Sequence, residues 1–366
     1  MLSSSRRASK WTVTILAVMV ATSALPTQGQ RFTRTDLTAD SSATSPTAPN
    51  IDPNLINAWG MSRSSGSPWW ISDNGTGLAT LYDGTGVPQP LVVTIPAPGG
   101  GTSAPTGQVF NATSGFDIAP GAKALFIFVT EDGTISGWNP GVDPTHAVIV
   151  VNNSGKAVYK GCALVQGTVG PYLYATNFQT GQVDVFDSKF KPVRFTGNPF
   201  SVPELGVNWA PFGIQNIGGN LVVTFAHRKR GQHDEDHGPG LGHVGVFTSD
   251  GRRIARLQDG PWMNAPWGIA MAPSDFGQFN HRLLIGQFGS GEIHAFNAVT
   301  GMWEAGMLDQ NGAMLSIDGL WGLTFGNNAR SGSAIELYFT AGPNEESQGI
   351  LGKLVPVSSE QRGSAE

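Results

Sequence analysis

The stretch Ala265-Pro266-Trp267-Gly268-Ile269 decides the fold, because its plan recurs along the chain. Ala58-Trp59-Gly60-Met61, Pro211-Phe212-Gly213-Ile214 and Leu320-Trp321-Gly322-Leu323 repeat an aromatic, a glycine, then an aliphatic residue or Met. Gly115-Phe116-Asp117-Ile118 is a weaker copy, and Cys162 lies where a sixth is expected. After each copy comes a turn and an apolar strand ending in a polar turn, as at Leu125 to Thr130 and Leu283 to Phe288. A further strand then ends in an aromatic, as in Val185-Phe186-Asp187 and Ala295-Phe296-Asn297. The anchors Trp59, Phe116, Cys162, Phe212, Trp267 and Trp321 are 57, 46, 50, 55 and 54 residues apart. Four short strands fit in each interval.

Four-stranded units repeated six times define an all-β chain folded as a six-bladed β-propeller. The glycine after each aromatic has a physical purpose. Innermost strands crowd near the axis, and a residue without Cβ lets them approach. The aromatics are expected to pack between blades. The last repeat, Gly319 to Val357, supplies only three strands. Arg31 to Leu37 is therefore expected to join the last blade as its outer strand and close the ring, leaving no open seam.

Composition agrees with this reading. Of 366 residues, 49 are Gly and 24 are Pro, while only 13% are charged against roughly 25% in an average domain. That mix excludes a coiled coil, a helix bundle and a charged disordered tail, and favours short strands with tight turns.

Residues 1–29 read as a signal peptide. Arg6, Arg7 and Lys10 precede an uncharged run from Trp11 to Leu25, with small residues at Ala21 to Ala24. The domain organisation expected is a signal peptide at 1–29, one propeller at 30–357 and a flexible tail at 358–366. Export to the periplasm or the extracellular space follows. No stretch of the mature chain has the length and apolarity of a transmembrane helix. Loss of the three basic residues takes the net charge from −5 to −8. Such a surface repels phosphate backbones, so nucleic acid is excluded as an expected partner. The single cysteine, Cys162, forms no intramolecular disulfide and reads as a small buried hydrophobe.

The copies at 265–269 and Leu173-Tyr174-Ala175-Thr176-Asn177-Phe178, followed by Gly181 to Asp187, resemble NHL-type repeats. Residues 31–357 resemble more closely a family of exported bacterial propeller proteins with no assigned activity. The resemblance rests on Asp52-Pro53-Asn54-Leu55-Ile56-Asn57-Ala58-Trp59-Gly60, Gly238-Pro239-Gly240 and Phe339 to Glu346. It implies the fold and carries no catalytic assignment.

Propeller topology gathers polar residues at one mouth of the central channel. The start of each innermost strand and the turn between second and third strands share that face. Asn57, Asp117, Asn177, Asn208, Asn264 and Asp318 are the candidate ligand-binding residues there, with Glu131 and Glu345-Glu346 in second-to-third turns. Ordinary turn chemistry also selects such residues. The fourth blade carries a long insertion, 227–242, suited to a lid. Within it His233, Asp234, Asp236 and His237 form a candidate metal site. Imidazole with carboxylate suits zinc, and carboxylates with carbonyls suit calcium. The opposing reading is a solvated loop whose charges neutralise one another. The zinc-protease motif is absent, since Asp234 replaces its Glu. Trp69, Trp70, Trp262 and Trp303 lie outside the repeat and would serve either core packing or ring stacking on sugars.

Two functions follow. The first is an exported binding or scaffold propeller, expected to be monomeric, whose partner is a protein, a small molecule or a glycan. The alternative is a metal-dependent hydrolase or lyase of the lactonase-like type, with a divalent cation in the channel and His227 as a candidate base. A channel blocked by hydrophobic plugs would favour the first. Three or more oxygens converging on one point would favour the second.

Overall fold

A computed structural model describes residues 30–167, 170–229 and 233–358. The segment expected to be a signal peptide, residues 1–29, and all but the first residue of the expected tail lie outside the described residues. Six blades surround one axis, each an antiparallel sheet of four main strands. The innermost strands are Ala58–Ser62, Pro105–Phe110, Tyr159–Gly167, Trp209–Ile217, Pro266–Met271 and Leu320–Phe325. These begin blades 1 to 6 in chain order. The one helical element among the described residues is a three-residue turn at Gly277–Phe279. None of their helices is long and apolar enough to cross a membrane.

Ring closure is as expected. Arg31–Ala39 pairs antiparallel with Ile350–Pro356, placing Phe32 opposite Pro356 and Ala39 opposite Ile350. Phe32 is fully buried, 5.2 Å from Phe276 and 5.7 Å from Phe279 between ring centroids. The strand is thus fastened to blade 5 as well as completing blade 6. Two short segments, Asn50–Ile51 and Leu308–Asp309, extend the same sheet by parallel pairing.

The glycines form a hoop around the axis. A Cβ on Gly107 would lie 2.6 Å from Cys162 N, and one on Gly161 would lie 2.9 Å from Phe212 O. On Gly268 it would meet Trp321 O at 2.6 Å, and on Gly322 it would meet Trp59 O at 2.9 Å. Gly60 and Gly213 face Thr106 O and Trp267 O in the same way. At these glycines each blade comes up against the backbone of the next. Every innermost strand is bulged at this point, as between Ala58 and Met61 and between Leu320 and Leu323. A bulge takes residues out of the ladder. Threonine hydroxyls from preceding blades collect the carbonyls left over. Thr106 donates to Tyr159 O at 2.8 Å, Thr176 to Phe212 O at 2.7 Å and Thr340 to Trp59 O at 2.5 Å.

This hoop corrects three expectations. Blade 2 is anchored at Thr106-Gly107, not at Phe116. Asp117 lies exposed on a small hairpin, Asp117–Ala119 with Ala122–Lys123, between the first and second strands of blade 2. That connection is at the far end of the channel, so Asp117 is not at the mouth. In blade 3 the aromatic slot belongs to Lys160, ahead of Gly161, and Cys162 fills the following aliphatic slot. Cys162 is buried, and burial pushes its thiol well up, as a structural cysteine requires. Finally, the repeat aromatics Trp59, Phe212, Trp267 and Trp321 do not fill the layers between blade faces. They converge on the axis.

Candidate functional site

Trp59, Phe212, Trp267 and Trp321 come from blades 1, 4, 5 and 6 and meet in the channel. Trp59 and Trp321 stack with centroids 3.7 Å apart, and Phe288 stacks on Trp321 at 3.8 Å. Trp267 meets Trp59 edge-on at 6.2 Å. Its indole N–H donates across the axis to Lys160 O at 2.9 Å. Trp59, Phe212 and Trp321 are buried, so the channel is plugged by rings. Beyond the plug remains a cavity of about 40 Å³, bordered by Met61, Gln108, Cys162 and Leu323.

Above the plug lies a polar network centred on Lys160. The Lys160 side chain is 2% exposed. Its ammonium is 2.6 Å from Glu131 Oε1 and 4.0 Å from Asp234 Oδ1, over the rings of Trp59 at 5.1 Å and Phe178 at 5.7 Å. Burial opposes the charge, but Glu131, Glu235 and Asp234 outweigh it and hold the ammonium above its usual range. Glu235 is 3% exposed. Burial raises its pKa, yet the pairing with His237 and the charge of Lys160 bring it below the ordinary carboxylate value. Glu346 behaves oppositely. Burial and the charges of Glu235 and Glu131 push it up to about 7, against the opposing pull of Lys160 and Asn57.

Asn57 joins these groups. Its amide donates to Glu346 Oε2 at 2.7 Å and to Asn74 Oδ1 at 3.2 Å, while its carbonyl accepts the Trp321 indole N–H at 2.9 Å. Asn74 donates to Glu131 Oε2 at 2.9 Å. Asn57 has φ +48°, in the left-handed region that Asn tolerates better than most residues. Sequence and site therefore meet at Asn57.

The other candidates are distributed differently. Asn264 accepts from Gly238 N at 2.7 Å, tying the blade 4 insertion to blade 5. Asn177 is turned into its own blade, donating to Asp184 and accepting from Val158 N and Thr180 N. Asp318 is exposed at the rim and accepts from Asn344 N. Asn208 is exposed, its carbonyl accepting from Arg228 N. Lys160 escaped the reading because it occupies an aromatic slot. A lone lysine directly before Gly161-Cys162 in an apolar strand was the available signal. Of the other Trp residues, Trp69 and Trp70 are buried, and Trp262 stacks on Trp303 at 4.7 Å.

The described part of the insertion lies against the mouth, with Asp234 facing Lys160 and Gly238 bonded to Asn264. Lys229 N donates to Asp234 O, and Asp236 N donates to His227 O, so residues 227–229 pair with 234–236. The four residues proposed to hold metal are sent to different partners. Asp236 pairs with His227 at 2.7 Å, His237 pairs with Glu235 at 3.3 Å, and Asp234 faces Lys160. His233 is exposed. Among the described residues no group of three or more His, Cys, Asp or Glu is placed to hold a metal ion. The mouth itself does not suit a divalent cation, because an ammonium stands among its carboxylates and takes up Glu131.

This geometry defines a six-bladed β-propeller with a plugged channel and a lidded polar mouth. The chain belongs to the family of two proteins of Acanthamoeba polyphaga mimivirus. It is 33% identical over 322 residues to uncharacterized protein L690, covering 84% of this chain and 82% of that one. It is 31% identical over 318 residues to uncharacterized protein R648, covering 84% and 76%. No family model matches. Solved structures share the fold alone. A protein of unknown function from Bacteroides thetaiotaomicron has TM-score 0.56 at 9% identity, over 90% of this chain and 77% of that one. A glucose dehydrogenase gives 0.53 at 13%, over 89% and 100%. A streptogramin B lyase gives 0.51 at 14%, over 89% and 98%.

Proposed function

We propose that this chain is an exported binding propeller that presents its lidded mouth to a small polar or glycan ligand or to a protein. The aromatic plug carries this reading. Stacked Trp59 and Trp321 and the cross-channel Trp267 fill the space in which a catalytic channel would seat substrate. What remains accessible is the rim, with Asp318, Asn208 and the exposed part of the insertion. The basic and uncharged segments before Ala24 support export.

A second reading has one observation in its favour. Glu346 is held near neutrality beside Asn57, which is where a general acid or base works best. Under it the protein is a hydrolase or lyase using Glu346 rather than a metal.

One experiment separates them. The purified protein is screened by thermal unfolding against glycans and small polar compounds, and by turnover assays on lactones and aryl esters with and without calcium or zinc. Ligand-induced stabilisation without turnover supports binding. Turnover abolished by Glu346→Gln establishes the second reading. Turnover that requires added cation overturns both.

A further inference from the structure

We propose that Lys160 is the resident cation of this propeller, a covalently attached ammonium that makes the channel mouth independent of metal. The inference rests on placement. Five innermost strands put an aromatic or threonine before the hoop glycine, whereas blade 3 puts Lys160 there. Its ammonium lies at the junction of four blades. Glu131 reaches it from blade 2 and Asp234 from the lid of blade 4, and the charges of Glu235 in that lid and of Glu346 in blade 6 act with them on the same spot. The rings of Trp59 and Phe178 complete the cage.

The cage is held from outside as well. Asn74 fixes Glu131, Asn57 fixes Glu346 and His237 pairs with Glu235. Carboxylates fixed in this way would repel one another without a cation between them. A buried charge survives only when paired. Each side therefore requires the other, and the lid is fastened by the same charge. Removing the ammonium should open a site for a primary alkylammonium, which offers the same head group.

The test uses the whole protein and three variants. Wild type should purify without stoichiometric metal, and its melting temperature should not respond to calcium, zinc or a chelator. Lys160→Met should melt lower by roughly 10 °C, because the carboxylates lose their partner. Lys160→Ala should be stabilised by millimolar n-propylammonium and not by tetramethylammonium, which has no N–H to donate. Should Lys160→Ala fail to fold, Glu131→Gln keeps the test alive. It should increase amine labelling of Lys160 at least tenfold, read by mass spectrometry. Stoichiometric calcium or zinc in wild type would overturn the proposal. So would wild-type stability in Lys160→Met, indifference of a folded Lys160→Ala to propylammonium, or unchanged labelling in Glu131→Gln.

Discussion

Trp59 and Trp321 lie face to face across the seam between the first and sixth blades, with ring centroids 3.7 Å apart and planes at 16°. Thr340 of blade 6 donates to Trp59 O, so stacking and hydrogen bonding coincide at the seam. Trp321→Ala should therefore destabilise the protein by about 3–5 kcal/mol, the usual cost of removing a buried aromatic. Urea unfolding followed by circular dichroism measures it. A loss below about 1 kcal/mol would mean that the plug is not part of the core.

Gly107→Ala should also be destabilising. The added Cβ would lie 2.6 Å from Cys162 N and 2.7 Å from Gly161 Cα, both backbone atoms of the next blade. Neither yields without moving an innermost strand, which costs about 1–3 kcal/mol. Gly66→Ala is the control, since nothing lies within 4 Å of its added Cβ. Equal melting temperatures for the two variants would remove the hoop as a constraint.

Deleting residues 1–49 should lower stability sharply. It removes the strand Arg31–Ala39 and its pairing with Ile350–Pro356. It also uncovers Phe276 and Phe279, which pack on Phe32. A truncated chain melting with the wild type would refute closure by this strand.

How much of this was legible depends on the blade. Blades 1, 4, 5 and 6 announce themselves through an aromatic before glycine. Blades 2 and 3 do not, because Thr106 and Lys160 fill that slot. Aligning on aromatics consequently placed Asp117 at the wrong end. Aligning on Gly60, Gly107, Gly161, Gly213, Gly268 and Gly322 gives spacings of 47, 54, 52, 55 and 54 residues. Glycine is present at all six positions, because there each innermost strand comes up against the backbone of the next blade. Asn57 was legible because it begins an innermost strand. The partnership of Lys160 with Glu131 was not, because sequence records no contact between neighbouring blades.

Glu346 gives a pH prediction. Its folded value is about 7, above the unfolded carboxylate at about 4.3. Between those limits the folded state holds a proton that the unfolded chain has released. This group's contribution is complete below about pH 4.3 and is lost as pH rises through 7. Glu346→Gln mimics the protonated acid and should gain stability relative to wild type from pH 5 to pH 8. Parallel melting curves for the two proteins over that range would contradict the assignment.

Asp73 should follow the same sign. It is fully buried, Thr80 donates to Oδ2 at 2.7 Å, and Oδ1 has no partner. Burial drives its pKa far up, and neighbouring Asp52 adds to the rise. Asp73→Asn should therefore match or exceed wild-type stability at pH 8 in thermal melts. A marked loss would show that the carboxylate is ionised there.

The closing strand also orders events in time. Gln30 donates to Val357 O, a partner 327 positions downstream. The first strand of the propeller to be made thus waits for the last before its pairing is complete. Until the Ile350–Pro356 strand has been made, no blade can be locked to its neighbour all the way around the ring. Closure of the ring consequently waits until the C-terminal strand has been made.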